Sequence, residues 1–314
     1  MGERAVLISE VGPRDGLQNC KAVMSVADRC SWIAVEAAAG VAEIEVGAFV
    51  SPKVIPQMAG TEEVVRFART IPGLTVAVLV PNLEGARRAV ACGAHKITLP
   101  LSVSETHSLR NVRRNHAQML EEARLIAELL AKQPKASRPH FEGSLSTAFG
   151  CTLEGKVAEA AVVRLAEALL EAGCDEVGLS DTTGYADPAA IRRLIRSVRA
   201  SAGAEKLTGV HLHNTRGLGL ANALAAFEEG MSTFDASLAG LGGCPTAPGA
   251  SGNIVTEDLV FMFEAMGVRT GIDLPALLAC RDLLRRALPE EELHGMLAKA
   301  GLPLGWPSAS LQAA

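Results

Sequence analysis

Eight short runs rich in β-branched residues recur along this chain, each followed by a longer stretch with helical spacing, and that alternation leaves few folds open. The runs are Val6 to Ser9, Ala42 to Val46, Thr75 to Val80, Lys96 to Leu99, His140 to Ser146, Glu176 to Leu179, Gly209 to His213 and Phe234 to Leu238. Between them lie segments rich in Ala, Leu, Glu and Arg with helical periodicity, such as Ser25 to Ala38, Ala117 to Lys132, Val157 to Ala172, Pro188 to Ala200 and Leu220 to Glu229. Several end on a pair such as Ala39-Gly40, Cys92-Gly93, Ala172-Gly173 or Glu229-Gly230, with glycine placed to stop a helix and turn into the next strand. Strand then helix, eight times, predicts a (β/α)8 TIM barrel over residues 1–270. An open doubly wound sheet is the rival, but no Gly-x-Gly-x-x-Gly follows the first strand, and eight units suit closure. Beyond about Thr270 the pattern is helical only, over Leu274 to Leu288 and Glu290 to Ala300. This predicts a C-terminal helical extension, residues 271–314, packed on the barrel.

With 48% hydrophobic residues over 314 positions, the chain can bury a sizeable core. Its net charge of −5, 21% charged content and scattered Lys and Arg argue against a nucleic-acid partner and for a small molecule. No run of about 18 apolar residues is present, so no membrane partner is expected. Seven cysteines without C-x-x-C spacing, odd in number, read as reduced thiols. A first strand that begins almost at once, with no secretory leader pattern, completes the expectation of a cytoplasmic enzyme.

Catalytic groups in such a barrel come from the C-terminal ends of strands and the loops that follow. Glu10-Val11-Gly12-Pro13-Arg14-Asp15-Gly16-Leu17-Gln18-Asn19 sets an arginine and a carboxylate side by side on a glycine-bracketed turn after the first strand. Glu45 lies near the end of the second strand, and Asp181 follows the sixth. Val210-His211-Leu212-His213-Asn214 offers two imidazoles at i and i+2, on one face of a strand. The stretch Gly240 to Asn253 carries five glycines around Cys244, so it could hinge over the mouth and bring a thiol there as proton donor or acceptor. Each feature alone has a plain alternative: a core His-x-His, a turn aspartate, a long loop. Their joint placement favours a site. Two imidazoles, the Asp15 carboxylate and the Asn253 amide oxygen form a sulfur-free donor set that suits Mg2+ or Mn2+ better than structural zinc.

Val11-Gly12-Pro13-Arg14-Asp15-Gly16-Leu17-Gln18-Asn19, Phe49-Val50-Ser51-Pro52-Lys53 with Pro56-Gln57-Met58, the Gly240 to Asn253 loop and Thr256-Glu257-Asp258-Leu259 resemble the 3-hydroxy-3-methylglutaryl-CoA lyase family. The resemblance runs from about Val6 to Gly267, and the loop with Cys244 is its most specific part. It implies an acyl-CoA substrate, a homodimer, and a divalent cation, Mg2+ or Mn2+, held by Asp15, His211, His213 and Asn253. It also implies that Arg14 faces the thioester, that Cys244 is the loop thiol, and that Glu45 and Asp181 are the other acids of the pocket. A metal-site histidine such as His211 or a nearby acid would shuttle the first proton.

The chain departs from the family pattern at Asn214-Thr215-Arg216-Gly217, where Asp-Thr-Tyr-Gly is usual, and at Thr246, Pro248 and the Ser102 to His107 segment. These changes bear on the acyl group accepted, so citramalyl-CoA or a longer-tailed glutaryl-CoA are alternative substrates. A synthase condensing acetyl-CoA with a 2-oxo acid fits less well, since Leu17 stands where such enzymes tend to have Glu. A non-catalytic binding barrel has no use for a thiol on a lid. Arg110, Arg113 and Arg114 could meet coenzyme A phosphates or form a solvated face.

Overall fold

The computed structural model describes residues 5–242 and 252–306. Eight parallel strands close into a barrel in sequence order: β1 (Leu7–Glu10), β2 (Glu43–Ala48), β3 (Thr75–Leu79), β4 (Lys96–Ser102), β5 (His140–Ser146), β6 (Glu176–Asp181), β7 (Leu207–Leu212) and β8 (Thr233–Ala236). β1 pairs with both β2 and β8, which completes the ring and confirms the expected TIM barrel. Around it lie α1 (Val26–Ala38), α2 (Thr61–Ala68), α3 (Leu83–Cys92), α4 (Glu105–Asn111), α5 (His116–Ala131), α6 (Glu159–Glu171), α7 (Pro188–Ala202), α8 (Gly219–Glu228) and α9 (Thr256–Ala265). The chain then adds α10 (Leu274–Ala287) and the short α11 (Leu297–Ala300).

Local chemistry explains these boundaries. Ser25, Asn82, Ser104, Asn115, Asp187 and Asp273 cap α1, α3, α4, α5, α7 and α10 by accepting a backbone N–H in the first turn. Gly93 ends α3 at φ 78°, the left-handed conformation that a side chain resists. Along the strands, Ile97, Leu99 and Leu101 of β4 and Phe141 and Leu145 of β5 are fully buried and share one core with the helices. The alternate residues point into the barrel and are only partly covered.

Strand ends shift by one or two residues from the sequence expectation, so that β2 runs on to Ala48, β6 takes in Asp181 as its last residue and β8 stops at Ala236, and three further differences have a local cause. β4 continues past Leu99 to Ser102, because Pro100, which lacks an N–H, is still in register with Ser144 on β5. β7 starts at Leu207 and stops at Leu212, leaving His213 just beyond it in an isolated bridge to Asn253. The expected helix from Glu290 to Ala300 is helical only over Leu297–Ala300. Glu290, Glu291 and Glu292 place like charges together, and Gly295 takes a φ of 121°, which no helix continues through. α10 packs on α1 and α9, with Leu277 and Leu284 fully buried in the barrel's own core. Among the described residues no helix is long and apolar enough to cross a membrane, and the described cysteines are free thiols.

Candidate active site

Directly after β1 the chain makes a wide turn over Gly12–Gly16, in which the N–H groups of Asp15 and Gly16 donate to Val11 O at 2.7 and 3.3 Å. Gly12 is required by space: a Cβ there would sit 2.5 Å from Glu10 Oε1 and 2.8 Å from the Trp32 ring. Glu10, wholly buried, accepts from Gly12 N at 2.8 Å, Leu238 N at 2.9 Å and Thr256 Oγ1 at 2.6 Å. It thereby ties the turn to both chain segments that flank the Gly240 to Asn253 stretch. Burial raises its pKa to about 8, with those three hydrogen bonds opposing.

The turn delivers Arg14 and Asp15 together, both buried. Arg14 Nε donates to Glu45 Oε2 at 2.5 Å, and its Nη1 donates to Asp15 Oδ1 at 2.5 Å. Gln18 Nε2 also donates to Asp15 Oδ1, at 2.7 Å. Asp15 Oδ2 faces the other way, 3.8 Å from His211 Nε2 and 3.9 Å from His213 Nε2. The two imidazole nitrogens stand 3.0 Å apart. These atoms form a carboxylate, imidazole and imidazole triad able to hold a metal ion. Neighbouring ligands of an octahedral ion with bonds of about 2.1 Å stand about 3.0 Å apart, so the imidazole pair has the right spacing.

Asn253 strengthens the fit. Its Nδ2 donates to Asp15 Oδ2 at 2.8 Å, while its Oδ1 is sealed from solvent with no hydrogen-bond partner among the described residues. A buried amide oxygen left unpaired beside a carboxylate and two imidazoles is a donor waiting for a cation.

Asp235, which the sequence reading did not single out, sets the imidazole. It lies on β8 in register with His211 on β7, and its Oδ2 is 3.1 Å from His211 Nδ1. A proton held on Nδ1 by that carboxylate leaves the Nε2 lone pair aimed at the triad's centre. Burial alone would lower the His211 pKa, yet Asp235 and Asp15 raise it. For Asp15 burial acts upward, but Arg14 and the two histidines hold its carboxyl below the usual range. The pocket is therefore a field that favours positive charge.

The remaining predicted residues divide. Glu45 lines the cavity beside Arg14, and burial pushes its pKa to about 7 against the pull of that guanidinium. Asp181 follows the parity of Val177 and Leu179, which face the helices, and does not line the cavity. Its two oxygens accept from Tyr185 N at 2.8 Å and Ala186 N at 3.1 Å, so it shapes the loop after β6, and burial raises its pKa to about 6. The departures at Asn214 and Arg216 also act on loops. Asn214 Oδ1 accepts from Gly219 N at the start of α8, while Arg216 donates to the carbonyls of Thr183 and Gly184 and stacks on Tyr185. Arg110, Arg113 and Arg114 line the outer cavity, and Arg114 pairs with Glu122 at 3.1 Å. Cys244, Thr246 and Pro248 lie outside the described residues.

Arg14, Asp15, Glu45, His211, His213 and Asp235 open into a shared cavity of about 980 Å3 among the described residues. A closed parallel barrel whose C-terminal mouth gathers such a triad beside an arginine defines a TIM-barrel enzyme with a candidate cation site. The chain belongs to the HMGL-like family, whose model matches residues 5–284. It is 42% identical to the 3-hydroxy-3-isohexenylglutaryl-CoA/hydroxymethylglutaryl-CoA lyase of Pseudomonas aeruginosa, over 87% of this chain and 90% of that one. It is 39% identical to the human mitochondrial hydroxymethylglutaryl-CoA lyase, over 91% of this chain and 86% of that one. The solved structure of an HMG-CoA lyase from Acinetobacter baumannii, in complex with coenzyme A and 3-methylmalate, superposes with a TM-score of 0.89 at 41% identity, covering 98% of this chain and 99% of that one.

Proposed function

We propose that this protein cleaves 3-hydroxy-3-methylglutaryl-CoA to acetyl-CoA and acetoacetate with the help of a divalent cation, Mg2+ or Mn2+. The observation that carries the reading is the convergence of Asp15, His211, His213 and the unpaired Asn253 oxygen next to Arg14. Family membership and relatives that are carbon–carbon lyases over most of their length support it.

Asp15, His211, His213 and Asn253 would hold the cation, which when bound polarises the substrate's 3-hydroxyl and lowers its pKa. Glu45, near neutrality in its proton affinity and fixed by Arg14, is placed to exchange a proton at the mouth, whereas His211, with Nδ1 on Asp235 and Nε2 toward the cation, could take part only when the cation leaves Nε2 free. Breaking the C2–C3 bond leaves negative charge on the thioester oxygen, and the Arg14 guanidinium, held rigid by Glu45 and Asp15, stabilises it. Cys244 is assigned the protonation of C2. Asp181, as an anchor of the loop after β6, acts by position rather than by proton transfer. Arg110 and Arg113 are assigned to the phosphates of coenzyme A. We read residues 1–270 as the catalytic barrel, residues 271–314 as an extension packed on it, and the protein as a cytoplasmic homodimer.

The test is purified protein with Mg2+ or Mn2+ and 3-hydroxy-3-methylglutaryl-CoA, followed for acetoacetate, beside citramalyl-CoA followed for pyruvate. Metal-dependent acetoacetate supports the assignment. Pyruvate alone keeps the mechanism and changes the substrate, and neither product with metal bound rejects the lyase reading.

A further inference from the structure

A TIM barrel's interior is ordinarily filled by layers of bulky branched side chains. Here it is hollow below the triad. On β4 and β5 the residues facing the helices are sealed while those facing the bore are partly exposed. The bore is lined by Ser9, Ala77, Thr98, Ser144 and Ser180, small side chains of which four carry a hydroxyl, together with the carboxylates of Glu45 and Asp235 in register with Ala77 and Ser9, and Ser144 Oγ and Ser180 Oγ are 3.1 Å apart. Its floor is Lys96, whose ammonium lies 2.7 Å from Glu142, 3.3 Å from Glu176 and 3.6 Å from Glu43. From Ser180, in register with His211, down to Glu176 at the floor, β6 runs four residues, roughly 13 Å along the strand.

We propose that this bore is the pocket for the substituent on C3 of the thioester substrate, and that it accepts a short uncharged arm longer than methyl and ending in a hydrogen-bonding group such as a hydroxyl. The proposal rests on the lyase reading above. Charge decides the class of arm. On the floor three carboxylates surround the Lys96 ammonium, and the His140 imidazole lies 3.0 Å from Glu176, so the floor's cations are already paired and offer nothing to a carboxylate-bearing arm, while Lys96 occupies the place where a cationic arm would pair. An alkyl arm would cover the hydroxyls without replacing their hydrogen bonds. Cleavage of such a substrate breaks C2–C3, leaves the electron pair on C2 to be protonated as acetyl-CoA, passes the hydroxyl proton to the enzyme, and releases a 3-oxo acid that keeps the arm.

The experiment compares thioesters of 3-hydroxyglutarate bearing methyl, 2-hydroxyethyl or n-propyl at C3. In parallel, calorimetry on the metal-loaded protein measures binding of the matching CoA thioethers, which cannot form an enolate and are not cleaved. We expect kcat/KM and affinity for hydroxyethyl at least tenfold above those for propyl. Ser144→Leu should reduce that ratio at least tenfold, and the gentler Thr98→Val should reduce it severalfold. If the methyl substrate is cleaved but hydroxyethyl is no better than propyl in either measurement, the bore proposal is wrong and the lyase reading stands. If nothing is cleaved yet the hydroxyethyl thioether keeps its preference and Ser144→Leu removes it, the pocket stands and the lyase reading falls.

Discussion

Replacing Glu36 should stabilise the protein, and the gain should grow with pH. Glu36 lies on α1 with no exposed surface, and its carboxyl makes no well-formed hydrogen bond among the described residues, the indole N–H of Trp32 one turn earlier being its near donor. Burial, reinforced by the nearby carboxyls of Glu10 and Glu257, raises its pKa well above the ordinary value. The native state therefore keeps a proton that the unfolded chain releases above a pKa of about 4.3. With more protons bound in the native form, stability falls as pH rises, by about 1.4 kcal/mol per unit for as long as the native carboxyl stays protonated. Across the two units from pH 5 to pH 7 the loss reaches up to about 2.7 kcal/mol. A neutral acid without a well-formed hydrogen bond costs up to about 1–3 kcal/mol further at any pH.

Glu36→Leu removes both penalties, and Glu36→Gln removes the pH-dependent one while keeping the shape. Urea unfolding, followed by tryptophan fluorescence at pH 5, 6 and 7, reads the effect directly. The curves of wild type and Glu36→Leu should diverge with rising pH. Glu10, whose pKa is about 8, imposes a similar slope on both proteins, so their difference isolates Glu36. Parallel curves, or a leucine variant less stable throughout, would refute the reasoning and mean that the carboxyl has a partner the geometry does not reveal.

How much of this was legible in the sequence depends on which physical rule wrote each feature. His211 and His213 share a face because strand parity is local, and the glycine-bracketed turn marks Arg14 and Asp15 without any knowledge of the fold. Asp235 is different: it matters only because β8 lies in register with β7, a relation that no local pattern encodes. Its one signal was compositional, since aspartate is disfavoured within a strand such as Phe234-Asp235-Ala236. Asp181 shows the converse. The series Val177, Leu179, Asp181 already put it on the apolar, helix-facing parity, yet proximity to a strand end suggested catalysis. The hollow bore was also written as parity, in Lys96, Thr98 and Pro100 alternating with Ile97, Leu99 and Leu101, where a buried parallel strand is usually apolar on both faces. The lost helix at Glu290 reflects a limit of periodicity, which does not register the repulsion of three adjacent carboxylates or the backbone demanded by Gly295.

The other predictions separate binding from chemistry. Arg14→Ala should leave cation affinity nearly intact while lowering kcat by about 10²–10³, as expected for loss of one stabiliser of developing negative charge, and a rate near wild type would remove Arg14 from that role. Lys96→Met should destabilise the fold by up to about 3–5 kcal/mol in urea unfolding, because Glu43 and Glu142 lose their shared counterion and Glu176 keeps only His140, and an unchanged midpoint would show that the floor is already neutral. Asp235→Asn offers the sharpest test of how the triad works, since the amide keeps the size of the side chain and removes its charge. Without the carboxylate the His211 Nδ1 proton is no longer fixed, the Nε2 lone pair loses its assured direction, and the local field turns less favourable to a cation. Calorimetric Mn2+ affinity should fall about 10- to 100-fold. The pH dependence should move as well. A proton competes with the cation for His211, and Asp235 helps to raise the pKa of that proton, so wild-type affinity should begin to weaken at a higher pH than in the variant. An Asp235→Asn protein that binds Mn2+ as tightly as wild type, with the same pH profile, would mean that the imidazole is oriented by its strand alone.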